Sequence, residues 1–254
     1  MSETNIEWTN YTWNPWIGCK KVSAGCKNCY MYREQTQRGN DPTIIRRTKT
    51  LNDPLRWERK AIADNKKYMV FTCSYSDFFL EESDEWRDDA WDIIRRTPHL
   101  IYQILTKRIE RVNQCLPEDF PFENVWLGVS AENQETADYR IPLLFETPAA
   151  LRFISVEPML GPINIWNITW DFEQDDKELA NWSRGANYYD WFICGCESGK
   201  NARPMNIDWV RNLRDQCKIA GIPFFLKQME IDGKLTRMPE LDGKVWAEYP
   251  EVTK

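Results

Sequence analysis

The chain has 254 residues, of which 42% are hydrophobic and 28% are charged, and its net charge is −6. This length and composition are typical of one soluble globular domain, and the acidic balance argues against loose, sequence-independent binding to DNA or RNA. No stretch reaches the ~18 apolar residues that cross a membrane, and the first residues lack the basic and apolar regions of a secretory signal. We therefore predict a cytoplasmic protein with no membrane partner.

The predicted elements alternate between strands and helices along the chain. Seven short apolar runs have the length and residue types of buried strands: Trp13–Ile17, Tyr68–Cys73, Leu100–Leu105, Val125–Val129, Leu151–Val156, Trp191–Cys196 and Pro223–Leu226. One helix is predicted to begin after Ser83 as its N-cap, and another to run from about Asp208 to a stop at Gly221. Repetition of strand and helix predicts a parallel sheet.

Polar residues follow each predicted strand. They are Cys19, Ser74–Asp77, Thr106–Arg108, Ser130–Asn133, Glu157–Pro158, Glu197–Ser198 and Lys227–Gln228. In a βα barrel these carboxyl-terminal strand ends open on one rim, where such enzymes place their chemistry. The alternative, a doubly wound open sheet, usually carries Gly-x-Gly-x-x-Gly after its first strand, and this chain does not. We predict an α/β fold in which a full or partial parallel βα barrel of about six to eight strands forms one domain over residues 1–254.

Two segments interrupt the repeating pattern. Residues 163–190 are too long for an ordinary connection and carry many aromatic residues: Trp166, Trp170, Trp182, Tyr188 and Tyr189. We interpret this segment as a rim insertion or lid, whose aromatic residues either stack on a planar substrate or pack as a small satellite core. Residues 229–254 contain Asp232-Gly233 and Asp242-Gly243, which are turn signals, and we predict a C-terminal hairpin or cap there.

Three cysteines near the start of the chain form its most informative motif. Cys19, Cys26 and Cys29 can hold three irons of a [4Fe–4S] cluster and leave the fourth iron open to an outside ligand. A structural zinc site would normally be closed by a fourth Cys or His. No such partner lies nearby in the sequence, because the single histidine is His99 and the next cysteine is Cys73.

The other cysteines and the basic residues allow several interpretations. Cys73, Cys194 and Cys196 could ligate an auxiliary cluster, but buried thiols are the favoured interpretation, and Cys217 is predicted to be a core residue. A small patch of Arg46, Arg47 and Lys49 could bind nucleic acid or could be a solvated loop.

Motifs along nearly the whole chain resemble the radical S-adenosylmethionine (radical SAM) superfamily. More closely, the chain resembles a phage and bacterial family of three-cysteine proteins related to it. The resemblance is carried by residues 12–19 with the two later cysteines, 74–79, 105–108, 128–133, 155–162, 197–199, 202–205 and 224–228. The chain departs from the superfamily in having six residues between Cys19 and Cys26 instead of three, and in having Asn28 where an aromatic residue usually precedes the last cysteine.

The resemblance implies cofactors and a reaction. Cys19, Cys26 and Cys29 are the implied ligands of a [4Fe–4S] cluster, whose open iron would chelate S-adenosylmethionine. One electron would cleave the C–S bond of this cofactor and give a 5′-deoxyadenosyl radical that acts on a substrate. The implied partners are an electron donor such as a flavodoxin or ferredoxin, a nucleic acid or modified nucleobase as substrate, and a separate partner protein.

The resemblance also implies roles for the strand-end residues. The implied cofactor-binding residues are Asn28, Tyr30, Ser74, Ser76, Asp77, Lys107, Ser130, Glu132 and Arg203. We predict Glu157, Glu197 and Lys227 as catalytic residues: the two glutamates end otherwise apolar strands, and Lys227 could pair with the methionyl carboxylate or with an anionic substrate group. Each of these charged residues could instead form a structural ion pair.

Two other functions remain open from the residues alone. In one, zinc or a cluster only holds the amino-terminal loop, and the barrel is a non-enzymatic module that binds nucleic acid or a partner protein. In the other, Glu157, Glu197 and Lys227 perform acid–base catalysis and the cysteines are structural.

Overall fold

The computed structural model describes residue 4, residues 6–168 and residues 189–251. Within these ranges, no helix has both the length and the apolar character that a membrane-spanning segment needs. Trp170, Trp182 and Tyr188 of the predicted rim insertion lie outside the described residues.

The strands of the described residues are β1 (Tyr11–Trp13), β2 (Trp16–Ile17), β3 (Arg46–Arg47), β4 (Tyr68–Thr72), β5 (Leu100–Thr106), β6 (Val125–Ser130), β7 (Leu151–Val156), β8 (Trp191–Gly195), β9 (Phe224–Ile231), β10 (Lys234–Arg237), β11 (Glu240–Leu241) and β12 (Lys244–Val245). The helices are α1 (Tyr30–Gln37), α2 (Asp53–Asp64), α3 (Asp84–Arg95), α4 (Val112–Cys115), α5 (Gln134–Phe145) and α6 (Ile207–Ala220).

Eight strands form one sheet in the order β1-β4-β5-β6-β7-β8-β9-β10. Strand β4 pairs in parallel with β1 and β5, and β8 pairs in parallel with β7 and β9, whereas β10 is antiparallel to β9. Since β1 and β10 are the two ends of this order, the sheet is open among the described residues. The prediction of an α/β fold with a parallel sheet of about six to eight strands is confirmed in its partial form.

The chain divides into two compact units. The first comprises residues 1–128 and 147–151, and the second comprises residues 129–146 and 152–254. The prediction of one domain with a rim insertion and a C-terminal cap remains a prediction.

The first unit has an aromatic core. Its largest fully buried side chains are Trp8, Tyr11, Trp13, Trp16, Phe78, Phe79, Trp91 and Tyr102. Tyr11 stacks on Trp57 of α2 at 4.7 Å, and Trp13 meets Tyr102 of β5 edge to face at 5.4 Å. Burial of such large rings is a major source of stability, and these ring contacts pack β1 against α2 and β5.

The second unit places three parallel strands, β7, β8 and β9, beside α6. The helix buries Val210, Leu213 and Cys217, and it ends at Gly221 with φ of +69°. Glycine adopts this left-handed conformation without a Cβ clash. The predicted stop at Gly221 and the core position of Cys217 are therefore confirmed.

Both Asp-Gly pairs form two-residue turns in the second unit. Asp232-Gly233 joins β9 to β10, and Asp242-Gly243 joins β11 to β12. All four residues have positive φ, between 51° and 79°, as type I′ hairpin turns require. Strand β9 extends to Ile231, five residues beyond the predicted strand, because β10 pairs with its second half.

The predicted first strand, Trp13–Ile17, is wrong. The chain leaves the sheet after Trp13, and Trp16–Ile17 instead pairs antiparallel with Arg46–Arg47. Pro15 lies at the break, and proline cannot donate the backbone hydrogen bond that a sheet interior requires.

The predicted start of α3 is correct, but its cap differs. Ser83 occupies the N-cap position without a side-chain cap bond; its Oγ instead donates to the carbonyl oxygen of Leu80 at 2.8 Å and accepts from Arg87 Nη2 at 3.2 Å. The Ser83 backbone N–H donates to the same carbonyl oxygen at 3.2 Å and closes the 3₁₀ turn Glu81–Ser83 that precedes the helix.

Candidate functional site

The three cysteines lie in the loop between β2 and α1, in the first unit. We call residues 19–29 the cysteine loop. Cys29 is the N-cap residue of α1, and Cys26 ends a 3₁₀ turn. All three thiols are free and partly exposed. Metal ligands must be reachable by the incoming ion, and partly exposed free thiols meet that condition.

Gly18 sets the path of the chain into the cysteine loop. Its φ is +96°, and a Cβ at this position would collide with the carbonyl oxygen of Ile44. The backbone N–H of Cys19 donates to the carbonyl oxygen of Pro42 at 2.9 Å. The loop therefore begins at a close approach between two backbone segments that only glycine permits.

The segment that follows β4 also contacts Gly18. The Gly18 N–H donates to the carbonyl oxygen of Tyr75 at 3.1 Å, and the Ser76 hydroxyl donates to the Gly18 carbonyl oxygen at 2.6 Å. Ser76, a predicted cofactor-binding residue, thus anchors the cysteine loop to the carboxyl end of β4.

Asn14 ties the end of β1 to the same segment. Its Nδ2 donates to Ser74 Oγ at 3.0 Å, and its Oδ1 accepts from the Tyr75 N–H at 2.8 Å. The Tyr30 hydroxyl, at the start of α1, donates to the Ser74 carbonyl oxygen at 2.5 Å. Sequence reasoning missed Asn14, although asparagine beside proline is a common site of side-chain to backbone bonding.

Asp77 and Arg108 form a buried ion pair beside Cys19. Asp77 is 5% exposed and Arg108 is 7% exposed. The Arg108 guanidinium donates to Asp77 Oδ2 at 3.2 Å and to the Lys20 carbonyl oxygen at 2.7 Å, and its Nη1 lies 4.0 Å from Cys19 Sγ. Sequence reasoning chose Lys107 from this strand end and missed Arg108, whose side chain reaches the cysteine loop.

The Asp77 carboxylate is held by several donors. It accepts from Thr106 Oγ1 at 2.7 Å, from the Lys107 N–H at 3.0 Å and from the Phe79 N–H at 3.0 Å. With Arg108 as a further donor, this carboxylate is fully engaged within the protein. Asp77 therefore serves as a fixed negative charge at the end of β5.

Electrostatics link the three thiols to one another. Burial, followed by Asp77 and the other two thiols, raises the pKa of Cys19 to about 12, although Arg108 acts in the opposite direction. Burial and all three thiols also raise the pKa of Tyr32, whose hydroxyl donates to the Cys19 carbonyl oxygen. The thiols therefore share one electrostatic environment around Tyr32.

The donor set fits an iron–sulfur cluster. Such clusters are held by cysteine thiolates, and a cation beside a ligating sulfur is a common outer-shell partner. Among the described residues, no group of three His, Cys, Asp or Glu side chains is placed so that it could hold a metal ion. The fit to a cluster therefore rests on the three thiol donors and on the charged groups around them.

Glu157 and Lys227 form an ion pair in the second unit. Glu157 Oε1 lies 3.1 Å from Lys227 Nζ, and Ser155 Oγ lies 3.3 Å from Glu157 Oε2. Gly195 permits this placement, because a Cβ there would lie 2.5 Å from Glu157 Oε1. The structure therefore brings together two of the three predicted catalytic residues, Glu157 directly after β7 and Lys227 within β9.

Glu197 and Arg203 form a second pair in this unit. The Glu197 carboxylate accepts from the Arg203 N–H at 2.9 Å and from its Nε at 3.0 Å, and a third bond comes from Nη2. This arrangement is the two-pronged geometry in which arginine binds carboxylates most strongly. Glu197 is therefore already engaged by a cation of its own segment.

Glu132 forms a third pair, and it is the most deeply buried. Arg140 Nη1 donates to Glu132 Oε2 at 2.9 Å and to the Ser130 carbonyl oxygen at 2.7 Å. Glu132 is 1% exposed. Ser130 and Glu132, both predicted to bind the cofactor, are thus joined through Arg140.

The four remaining cysteines outside the loop and α4 are buried thiols. They are Cys73, Cys194, Cys196 and Cys217. Cys194 Sγ lies 3.7 Å from Met159 Sδ, a sulfur contact inside the second unit. Burial raises the pKa of each of these thiols. An auxiliary cluster at three of them remains a prediction.

Comparison with known proteins gives one family and one structure. Residues 3–250 match the model of a family described as "Protein of unknown function (DUF5131)". A solved structure of a spore photoproduct lyase mutant is similar with a TM-score of 0.48 and 14% sequence identity, covering 85% of this chain. The chain spans 62% of the length of that structure's chain. No curated protein matches.

Proposed function

The chain belongs to the family described as "Protein of unknown function (DUF5131)", and we propose that it is an iron–sulfur enzyme of the radical SAM type. Cys19, Cys26 and Cys29 would each hold one iron of a [4Fe–4S] cluster, with S-adenosylmethionine at the fourth iron. When bound, this pair supplies a 5′-deoxyadenosyl radical, formed by one-electron cleavage of a C–S bond, which removes a hydrogen atom from the substrate.

The observation that carries the proposal is the attachment of the cysteine loop and its flanking residues to the ends of two parallel strands, β4 and β5. The loop and its flanking residues are bonded to Tyr75 and Ser76 after β4, and to Arg108 after β5. These are carboxyl ends of strands, where α/β enzymes gather their reactive groups. A loop that served only as a surface staple would not need a buried ion pair against its first thiol.

The residues around the loop would act in two ways. Ser76 bonds to Gly18 at the start of the loop, and Ser74 bonds to Asn14 and Tyr30 on either side of it. Asp77, which accepts from the Lys107 N–H, holds Arg108 against the loop. We propose that these four residues support cofactor binding by fixing the position of the loop. Asn28 and Tyr30 flank Cys29 in the sequence, and we assign them to contacts with the adenosyl group.

The charged residues of the second unit complete the proposal. Ser130, Glu132 and Arg203 are proposed to bind the cofactor, and Glu157, Glu197 and Lys227 are proposed to act on the substrate. Each acid has a cationic partner, so each could exchange that partner for a polar group of a ligand. The proposed substrate class is a nucleic acid or a modified nucleobase.

The proposed electron donor is an acidic protein such as a flavodoxin or ferredoxin in the cytoplasm. Residues 19–49 contain eight Lys and Arg against two Asp and Glu, although the whole chain has a net charge of −6. Lys20, Lys21 and Lys27 are exposed within the cysteine loop. Local positive charge near a redox centre favours encounter with an acidic protein. A separate partner protein is part of the same proposal.

The test is electron paramagnetic resonance of anaerobically reconstituted and reduced protein, with and without S-adenosylmethionine. We expect about four iron and four sulfide per chain and a reduced-cluster signal that shifts when the cofactor is added. Cys26→Ala should lose the signal, whereas Cys115→Ala, which removes a partly exposed thiol outside the loop, should keep it.

Two results would contradict the proposal. One zinc per chain in place of iron would favour the metal-stapled binding module. A cluster signal that does not change when S-adenosylmethionine is added would contradict the proposed radical chemistry but would still support an iron–sulfur site.

A further inference from the structure

Resting on that proposed function, we propose that Asp77 and Arg108 together set the reduction potential of the cluster held by Cys19. Arg108 raises the potential and Asp77 lowers it. Neither residue belongs to the ligand set, so both are positioning residues that act through the sulfur of Cys19.

The geometry places the Asp77–Arg108 ion pair beside the Cys19 sulfur. A single guanidinium nitrogen, Arg108 Nη1, lies 3.2 Å from Asp77 Oδ2 and 4.0 Å from Cys19 Sγ. Removing one partner therefore leaves the other uncompensated at Cys19.

Both charges are held in place rather than free to move. The guanidinium is fixed by the Lys20 carbonyl oxygen, and the carboxylate by Thr106 and two backbone N–H groups. The exposed pair Lys20–Glu82 in the same region is different, since its lysine side chain is 59% exposed and water screens it. Of these two ion pairs, Asp77–Arg108 is the one that is both held in place and weakly screened by water.

The effect on the cluster follows from charge. Reduction adds one electron, so a nearby cation stabilises the reduced state and a nearby anion destabilises it. Hydrogen bonds to ligating sulfurs and local charge are among the main factors that set the potential of such clusters. A buried pair of opposite charges gives the protein two independent controls of opposite sign.

The experiment is a redox titration of the reconstituted protein, followed by the reduced-cluster signal. Four forms are compared: wild type, Arg108→Gln, Asp77→Asn and the double variant. We expect the potential to fall in Arg108→Gln, to rise in Asp77→Asn, and to lie between these two in the double variant. A loss of packing would not shift the two single variants in opposite directions.

Two further variants guard the interpretation. Arg87→Gln removes another buried arginine, which pairs with Asp84 and binds the carbonyl oxygens of Phe78 and Leu80; we expect lower stability and an unchanged potential. Arg108→Lys keeps the positive charge, so we expect its reduction potential to lie close to that of the wild type and above that of Arg108→Gln.

Shifts in the same direction, or no shift, in the two single variants would overturn the inference. If Arg108→Gln binds no cluster, Asp77→Asn alone tests the inference, and its reduction potential must then be higher than that of the wild type. If the wild type itself holds no [4Fe–4S] cluster, the proposed function fails, and that result is distinct from a cluster whose potential ignores these residues.

Discussion

The two compact units use buried charge in different ways. In the first unit, the Asp77–Arg108 pair faces a cysteine thiol, and the neighbouring thiols are partly exposed. In the second unit, Glu132 and Glu197 are bound by arginines, and the cysteines are buried. Buried charge therefore lies against a thiol in the first unit, whereas in the second unit it consists of carboxylates that arginines neutralise.

Gly18→Ala tests whether the cysteine loop depends on its backbone path. The new Cβ would meet the Ile44 carbonyl oxygen at a positive φ, so we expect a loss of about 3 kcal/mol or more and little bound iron. Urea unfolding and iron analysis measure both. Gly39→Ala is the matched control: its φ is also positive but its surroundings are open, and we expect about 1–2 kcal/mol. Equal losses in the two variants would contradict the special role of Gly18.

Metal removal should loosen the first unit and leave the second unchanged. After iron chelation, we expect tryptic cleavage at Lys20, Lys21 and Lys27 to become about tenfold faster, because the loop loses its crosslink. Cleavage after Lys234, in the β9–β10 hairpin, serves as the internal control. Peptide mass analysis over time measures both rates. Faster cleavage at Lys234 as well would mean that the metal stabilises more than the loop.

Charge reversal in the cysteine loop should slow reduction by a protein donor. For Lys21→Glu with Lys27→Glu, we expect reduction by a flavodoxin to slow by about tenfold at low salt, with a smaller difference at high salt. Stopped-flow absorbance measures the rate. The control reverses Lys66 and Lys67, an exposed pair outside residues 19–49. If both double variants slow equally, net charge alone would explain the effect.

The two units should also differ in their response to acid. Partial burial opposes ionisation of Asp84, but hydrogen bonds from Arg87 and Arg111 outweigh it and lower the pKa of this carboxyl. Its contribution is present above its ordinary pKa and is lost as pH falls through the lowered value. Asp190 is the reverse: burial raises its pKa, so its ionised form weakens the fold at neutral pH and this penalty disappears in acid.

Asp84→Asn and Asp190→Asn separate these two contributions. We expect Asp84→Asn to be destabilising at neutral pH and Asp190→Asn to be stabilising, each by less than about 1 kcal/mol, with both differences shrinking toward acid. Urea unfolding between neutral and acid pH measures them. Effects of the same sign at neutral pH would contradict the contrast.

Local signals in the sequence predicted much of the fold. Strand β7 was predicted with its observed ends, α6 ends at the predicted Gly221, and both Asp-Gly pairs form turns. These features depend on residues within one strand, helix end or turn, where backbone preference and hydrophobic pattern act together. The first strand was misplaced because its apolar pattern continues across Asn14-Pro15 while the backbone pairing does not.

The partners of the charged residues could not be predicted. Arg108 and Cys19 are 89 residues apart, and Glu157 and Lys227 are also distant in sequence, so neither pairing leaves a local pattern. Lys107 and Arg108 look equivalent in sequence, yet the Lys107 N–H binds Asp77 while the Arg108 side chain binds both Asp77 and the cysteine loop.

The sequence by itself determined the three thiols and their spacing, the turn residues and most of the strands, since each of these is encoded within a few neighbouring positions. The tertiary structure alone decided which charges lie against Cys19 and which acids are neutralised by arginine. The physical reason is that a buried charge takes its effect from whatever the fold places within a few ångströms of it.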